Sequence, residues 1–222
     1  MASPAVALSP LVFTNVEELQ AHLGGIPLSR IRLRPLPGTA TEKDLLDIDA
    51  NEGRPCELID GILVEKAMGS YESRLASVLI YFIEMFLENN DMGVVLGEAG
   101  FLRLFAGRVR APDVSFIAWK RMPRHEFPKG AIASLAPDLA VEILSESNTE
   151  AEMESKLKDY FKSGSKLVWI ADPESHTVRI YTSLTKSTLL NEKDTLDGGK
   201  VLPGFALPIK KWFARASRKP RR

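Results

Sequence analysis

Apolar periodicity divides the chain into elements before any chemistry is considered. Residues 1 to about 40 are rich in proline and glycine and carry one short helical signal over 14–23, the pattern of an N-terminal arm with a short helix. At Thr41, "TEKDLLDID" supplies a threonine cap, early acids and then Leu45, Leu46 and Ile48, which predicts a second short helix. "CELIDGILVE" places Asp60-Gly61, a favoured two-residue turn, between two apolar runs. In that hairpin Ile59 faces Ile62, Leu58 faces Leu63 and Glu57 faces Val64, so Glu57 shares a face with Ile59, Ile62 and Val64. A carboxylate on a β-branched face is an anomaly.

"YESRLASVLIYFIEMFLENN" repeats Leu75, Val78, Leu79, Phe82, Ile83 and Phe86 at helical spacing, a core-facing stripe. "FLRLFAGRVRAPDVSFIAW" reads as a strand, a glycine turn and a second strand starting after Pro112, followed by a polar loop that contains His125. Residues 139–145 form the next strand, 149–163 a helix, and "SKLVWIAD" another apolar strand. Strand, helix and strand with short links predict a βαβ crossover and a parallel pair. "TVRIYT" follows as an antiparallel partner, and the region from Leu184 adds a ragged strand or two. The predicted fold is α/β of the mixed α+β kind: an antiparallel meander feeding a βαβ unit, flanked by helices.

Composition narrows this reading only slightly. At 222 residues, 45% hydrophobic and 26% charged, the chain suits one ordinary domain with a real core. Lysine plus arginine equal aspartate plus glutamate, 29 each, so any contact with nucleic acid must use a local basic patch. One such cluster is "RASRKPRR", expected as part of a basic C-terminal tail over 211–222. A single cysteine, Cys56, excludes an internal disulfide, and no apolar run is long enough to span a bilayer. With no signal-peptide pattern at the start, a cytoplasmic protein that does not use a membrane is expected.

The chemistry centres on Glu142, a lone carboxylate among Leu139, Ala140, Val141, Ile143 and Leu144. Such a group needs pairing, protonation or a metal ion. Two Pro-Asp pairs offer partners. Asp138 lies four residues earlier on the same strand, about 13 Å away by Cα, too far to share one cation. Asp113 opens a different strand and can lie beside Glu142. The position two beyond Glu142, on the same face, would suit a lysine but holds Leu144. On the following helix Glu154, Lys158 and Lys162 form an exposed ladder, whereas Lys156 sits at the edge of the buried face. Two alternatives stay open for Lys156: it reaches Glu142, or it snorkels from the core edge.

"PCELIDGILVE", "APDVSFI", "PDLAVEILSESNT" and "ESKLKDYFKSGSKLVWIADPESHTVRIY" together resemble the bacterial Uma family of endonucleases. That family is a branch of the restriction-endonuclease-like PD-(D/E)XK superfamily. The resemblance runs from about Glu42 to Tyr181 and implies a restriction-endonuclease-like domain over 41–210. It further implies Mg²⁺ or Mn²⁺ held by Asp113 and Glu142, with Glu57 matching the first acidic position of the branch. Lys156 takes the part of the lysine missing at Leu144, and Tyr160 lies one turn on. DNA is the implied partner, and a homodimer is compatible with cutting two strands. Glu72 stands where the family often has a histidine. Arg103, Arg108 and Arg110, leading into Asp113, are candidate phosphate contacts, with an ordinary solvated strand position as the simpler alternative for each one singly. The alternative to a metal-dependent endonuclease is an inactive module of the same fold that binds nucleic acid or a protein partner.

Overall fold

The computed structural model describes residues 11–67 and 69–217. Helices α1 (Val16–His22) and α2 (Glu42–Glu52) precede the hairpin β1 (Cys56–Ile59) and β2 (Ile62–Glu65). Helix α3 (Ser70–Leu87) leads to β3 (Gly93–Gly97), β4 (Leu102–Phe105), β5 (Arg108–Arg110) and β6 (Val114–Ala118). Strand β7 (Leu139–Ile143), helix α4 (Glu150–Ser163) and β8 (Leu167–Asp172) form the crossover. Then come β9 (Thr177–Ser183), β10 (Lys186–Leu190), β11 (Thr195–Asp197), β12 (Ala206–Pro208) and α5 (Ile209–Ala216).

The strands form a six-stranded mixed sheet ordered β10-β9-β8-β7-β6-β3, a four-stranded sheet ordered β2-β1-β5-β4, and a separate β11-β12 pair. The β7-β8 pair is parallel and β9 is antiparallel to β8, as the crossover pattern requires. The hairpin closes in the expected register, Glu57 opposite Val64 and Ile59 opposite Ile62. Asp60 and Gly61 both take positive φ, 50° and 77°, the backbone that this two-residue turn demands.

Each face of the large sheet is covered by what its alternation dictates. Leu139, Val141 and Ile143 of β7 point into the main core with Leu75, Leu79 and Ile83 of α3. Ala140, one step out of phase, packs instead against Met153, Leu157 and Tyr160 of α4. Glu142 shares the Ala140 phase, so its carboxylate is directed to the α4 side rather than into the main core. Helix α4 begins at Thr149, whose hydroxyl accepts from Glu152 N, and stops at Gly164 in the left-handed region.

Three parts differ from the sequence expectations. The segment 102–118 is not two strands but three, because β4-β5 closes a tight hairpin around Gly107 in the small sheet while β6 joins the large one. Strand β3, unforeseen in the polar stretch after α3, pairs along all of β6 from Gly93↔Ala118 to Gly97↔Val114. Residues 209–216 are helical, not a tail: Ile209, Trp212 and Phe213 are buried in the main core, and Trp212 Nε1 donates to Leu75 O at 2.9 Å. The spacing i, i+3, i+4 carries that helix. The last basic residues, 218–222, lie outside the described residues. The N-terminal segment is also less free than an arm, since Leu19, Leu23, Ile26 and Ile31 pack on Ile59, Ile62 and Val64.

Candidate active site

Ionisable side chains converge where the two sheets meet α4. The β6-β7 ladder pairs Val114 with Val141 and Ser115 with Ala140; one step further, the same register sets Asp113 opposite Glu142. Opposed residues on antiparallel strands hold their Cβ atoms about 4.5–5.5 Å apart. Asp113 Oδ2 accepts from the backbone N–H of Ile143 at 2.7 Å, which pins the carboxylate to the neighbouring strand. Its Oδ1 accepts from Lys66 Nζ at 2.9 Å. Asp113 and Glu142 therefore come together as expected, while Asp138 stays at the far end of β7. There it accepts from Ala118 N and pairs with Arg121 and Lys166.

Lys156 reaches Glu142 rather than snorkelling. It is 4% exposed, and its Nζ stands 2.7 Å from Glu142 Oε2 and 3.7 Å from Glu57 Oε1. The ammonium thus points between Glu142 and Glu57, not between Glu142 and Asp113. Tyr160, one turn along α4, donates its hydroxyl to Glu142 Oε1. On the small sheet, the β1-β5 register extends to place Glu57 opposite Arg110. Arg110 Nη1 donates to Glu57 Oε2 at 2.7 Å, and Glu57 Oε1 accepts from Ala111 N at 3.2 Å. The β-face carboxylate anticipated at Glu57 is therefore anchored in a buried ion-pair network.

The protonation balance follows from this packing. Burial pushes Glu142 up, and the carboxylates of Asp113 and Glu57 push it further, against the pull of Lys156 and Lys66. Burial also penalises ionised Glu57, yet Lys156, Arg110 and Lys66 together bring it down to about 2. Desolvation disfavours the Lys156 ammonium, but Glu142, Glu57 and Glu152 outweigh it and raise its pKa above the ordinary lysine value. Tyr160 is raised well above the ordinary phenol range, first by burial and then by Glu142 and Glu57. Both Lys156 and Tyr160 are therefore held as proton-bearing donors at neutral pH.

The three arginines that are candidates for phosphate contact are engaged elsewhere. Arg110 is 1% exposed and is shared between Glu57 and Asp159. Arg108 pairs with Asp60 at 2.9 Å and Arg103 with Glu42. Arg110 is thus corrected from a phosphate contact to a buried counter-ion, because Glu57 and Asp159 leave none of its ion-pairing capacity to a ligand. His125 is exposed on its loop and takes no part in the cluster.

Two participants were missed. Lys66 lies two residues past Val64, on the face that Glu57 occupies, so strand alternation carried a signal for it. Asp159 follows Lys156 by three residues on α4, a helical-face signal that is weaker because the ladder beside it is exposed. A groove of about 350 Å³ opens onto Lys66, lined also by Arg54, Pro55, Glu65, Ser73 and Glu98. A larger groove of about 600 Å³ beside α4, β8 and β9 is lined by none of Glu57, Asp113 and Glu142.

No group of three or more His, Cys, Asp or Glu side chains that could hold a metal ion occurs among the described residues. The three-acid set of Glu57, Asp113 and Glu142 is therefore not assembled as a side-chain cage: Arg110 and Ala111 N occupy Glu57. Asp113 and Glu142 remain as a neighbouring pair of carboxylates, each oxygen of which also accepts from a protein donor. A pair of carboxylates is a donor set that a hard cation such as Mg²⁺ would fit, with waters and substrate phosphate completing its shell, where those protein donors give way. Burial and then the charges of Asp113 and Glu57 push Glu142 up, a stress that a bound cation would relieve.

The fold and site can be set beside known proteins. A crystal structure described as "a putative nuclease belonging to DUF820", from Anabaena variabilis ATCC 29413, superposes with a TM-score of 0.65 at 21% identity. The match covers 74% of this chain and 92% of that one, and it shows that the two share a fold. No curated protein matches the chain. Among the described residues no helix is long and apolar enough to cross a membrane. The profile of the Uma2 family, described as "Putative restriction endonuclease", matches residues 42–210, a span from the capped start of α2 to the first turn of α5 that takes in every acid and base of the cluster. The chain belongs to the Uma2 family.

Proposed function

We propose that this protein is a divalent-metal-dependent endonuclease that hydrolyses DNA phosphodiester bonds, with Mg²⁺ or Mn²⁺ as its ion. The observation that carries the reading is Asp113, just before β6, brought beside Glu142 by its 2.7 Å bond to Ile143 N, with Lys156 Nζ 2.7 Å from Glu142. Membership of a family described as "Putative restriction endonuclease" supports it.

Asp113 and Glu142 are the ligands in this reading. A cation held by them would supply polarisation of the phosphate and a more acidic water. Tyr160 holds one oxygen of Glu142 and so sets the rotation of the carboxylate. Lys156, kept protonated by Glu142 and Glu57, acts as a fixed cation for the negative charge that gathers on the phosphate, rather than as the base. Arg110 anchors Glu57, and Glu57 in turn steadies Lys156 from behind.

Incubating the purified protein with supercoiled plasmid and Mg²⁺ or Mn²⁺ tests this. Nicking or linearisation is expected, stopped by chelator and reduced at least about 100-fold by Glu142→Gln. Cleavage indifferent to that substitution would remove Glu142 from the metal site. A second reading, a scaffold that binds nucleic acid or a partner without cutting, is favoured by one feature: both Asp113 oxygens already have protein partners. Calorimetry with Mn²⁺ that shows no binding dependent on Asp113 would select it.

A further inference from the structure

Lys66 has no part in the scheme above, yet it holds one of the two carboxylates on which that scheme depends. Its side chain is 3% exposed, and its Nζ contacts Ala111 O at 2.5 Å and Asp113 Oδ1 at 2.9 Å. The other Asp113 oxygen is committed to the backbone at Ile143 N, so Oδ1 is the oxygen that a side-chain movement can free for an external cation. A divalent ion bound there at about 2.0–2.6 Å would be repelled by an ammonium held on the same oxygen. The two cations compete for Oδ1.

The ammonium also has somewhere to go. Lys66 lines the 350 Å³ groove, and Glu98 lines the same groove. Glu98 Oε2 is buried without a hydrogen-bond partner, a carboxylate oxygen lacking a donor. Lysine suits such a device, since its flexible stem carries a compact charge between two acceptors where a planar guanidinium would be fixed in place.

The geometry points to Lys66 as a positioning residue that gates metal binding: its ammonium occupies Asp113 until a divalent cation displaces it into the groove, towards Glu98. This rests on the reading that Asp113 and Glu142 hold the ion. It adds that the ion must pay for evicting Lys66, so metal affinity is set below what the carboxylates alone would give. With the competent, Lys66-displaced state a minority of about one in ten or less, apparent affinity falls by about tenfold or more.

Mn²⁺ titration calorimetry and thermal melting, with and without Mn²⁺, on the full chain test the gate. Lys66→Met is expected to bind Mn²⁺ about tenfold or more tighter than wild type and to show a larger Mn²⁺-induced rise in Tm. Glu98→Gln, which removes the landing carboxylate, is expected to bind Mn²⁺ more weakly. A lysine with a purely structural role would instead lower Tm equally in both conditions and leave affinity alone. Should Lys66→Met misfold, unchanged affinity in Glu98→Gln overturns the gate by itself. If Asp113→Asn abolishes binding while Lys66→Met and Glu98→Gln match wild type, the gate is wrong and the metal site stands. If neither wild type nor Lys66→Met binds Mn²⁺, the metal site and the gate both fail.

Discussion

Replacing Arg110 by methionine removes a guanidinium that serves two buried acids at once. Nη1 lies 2.7 Å from Glu57 Oε2 and Nη2 lies 2.6 Å from Asp159 Oδ2, with the arginine 1% exposed. Breaking a buried pair from one side costs about 3–5 kcal/mol, because the surviving charge stays desolvated. Here the lower end applies. Lys156 remains 3.7 Å from Glu57, and Arg108 remains 3.5 Å from Asp159, so neither acid is left wholly uncompensated. A loss of about 3 kcal/mol in a chain of this size lowers Tm by roughly 6–12 °C. Methionine matches much of the arginine stem, so the loss reports charge rather than a cavity. The double variant Arg110→Met, Glu57→Gln is expected to recover part of it, since the amide is far cheaper to bury. The assay is equilibrium urea or thermal unfolding, run beside the salt dependence of DNA affinity. A phosphate-contacting arginine would, on removal, reduce the salt slope by about 1 with little change in stability. That outcome, with Tm within about 2 °C of wild type, would refute the buried counter-ion and restore Arg110 to the DNA interface.

Two further outcomes follow from the same cluster. Tyr160→Phe deletes the hydroxyl that donates to Glu142, leaving a buried carboxylate oxygen short of a donor, and is expected to cost about 1–3 kcal/mol in denaturant unfolding; no loss would mean that the hydroxyl is not needed there. Glu57 is held at about 2 against an ordinary value of 4.5, so on acidification the unfolded chain takes up the proton first and stability is lost as pH decreases. Its contribution, on the order of 3 kcal/mol, is complete above about pH 4.5 and lost as pH drops towards 2. Glu142, raised by burial and by its neighbours, runs the opposite way, so the comparison that isolates Glu57 is wild type against Glu57→Gln. The variant should show the shallower loss of Tm on acidification, and equal slopes would contradict the assignment.

Much of this protein was legible without coordinates wherever local chemistry governs. The Asp60-Gly61 turn specified the hairpin and its register, helical spacing specified α3 and α4, and the strand-helix-strand order specified the parallel β7-β8 pair. Alternation alone put Glu142 out of phase with Leu139 and Val141, and singled out Glu57. Distance along one strand excluded Asp138. Strand β3 was not legible, because a short glycine-bounded segment acquires its structure by pairing with β6, a partner supplied from twenty residues away. Helix α5 was hidden for a different reason: its three buried apolar residues sit in a basic stretch and gain their meaning from packing on α3, where Trp212 is tied through Leu75 O, and on His176. For the site itself, the sequence by itself determined which residue types were anomalous, since a charge at an apolar phase is a local fact. Only the tertiary structure decided which counter-charge each received. Arg110 to Glu57, Lys156 to Glu142 and Lys66 to Asp113 are contacts between separate elements, fixed by how two sheets and a helix pack. A side chain's spacing sets its direction, but the charge it meets there depends on the fold as a whole.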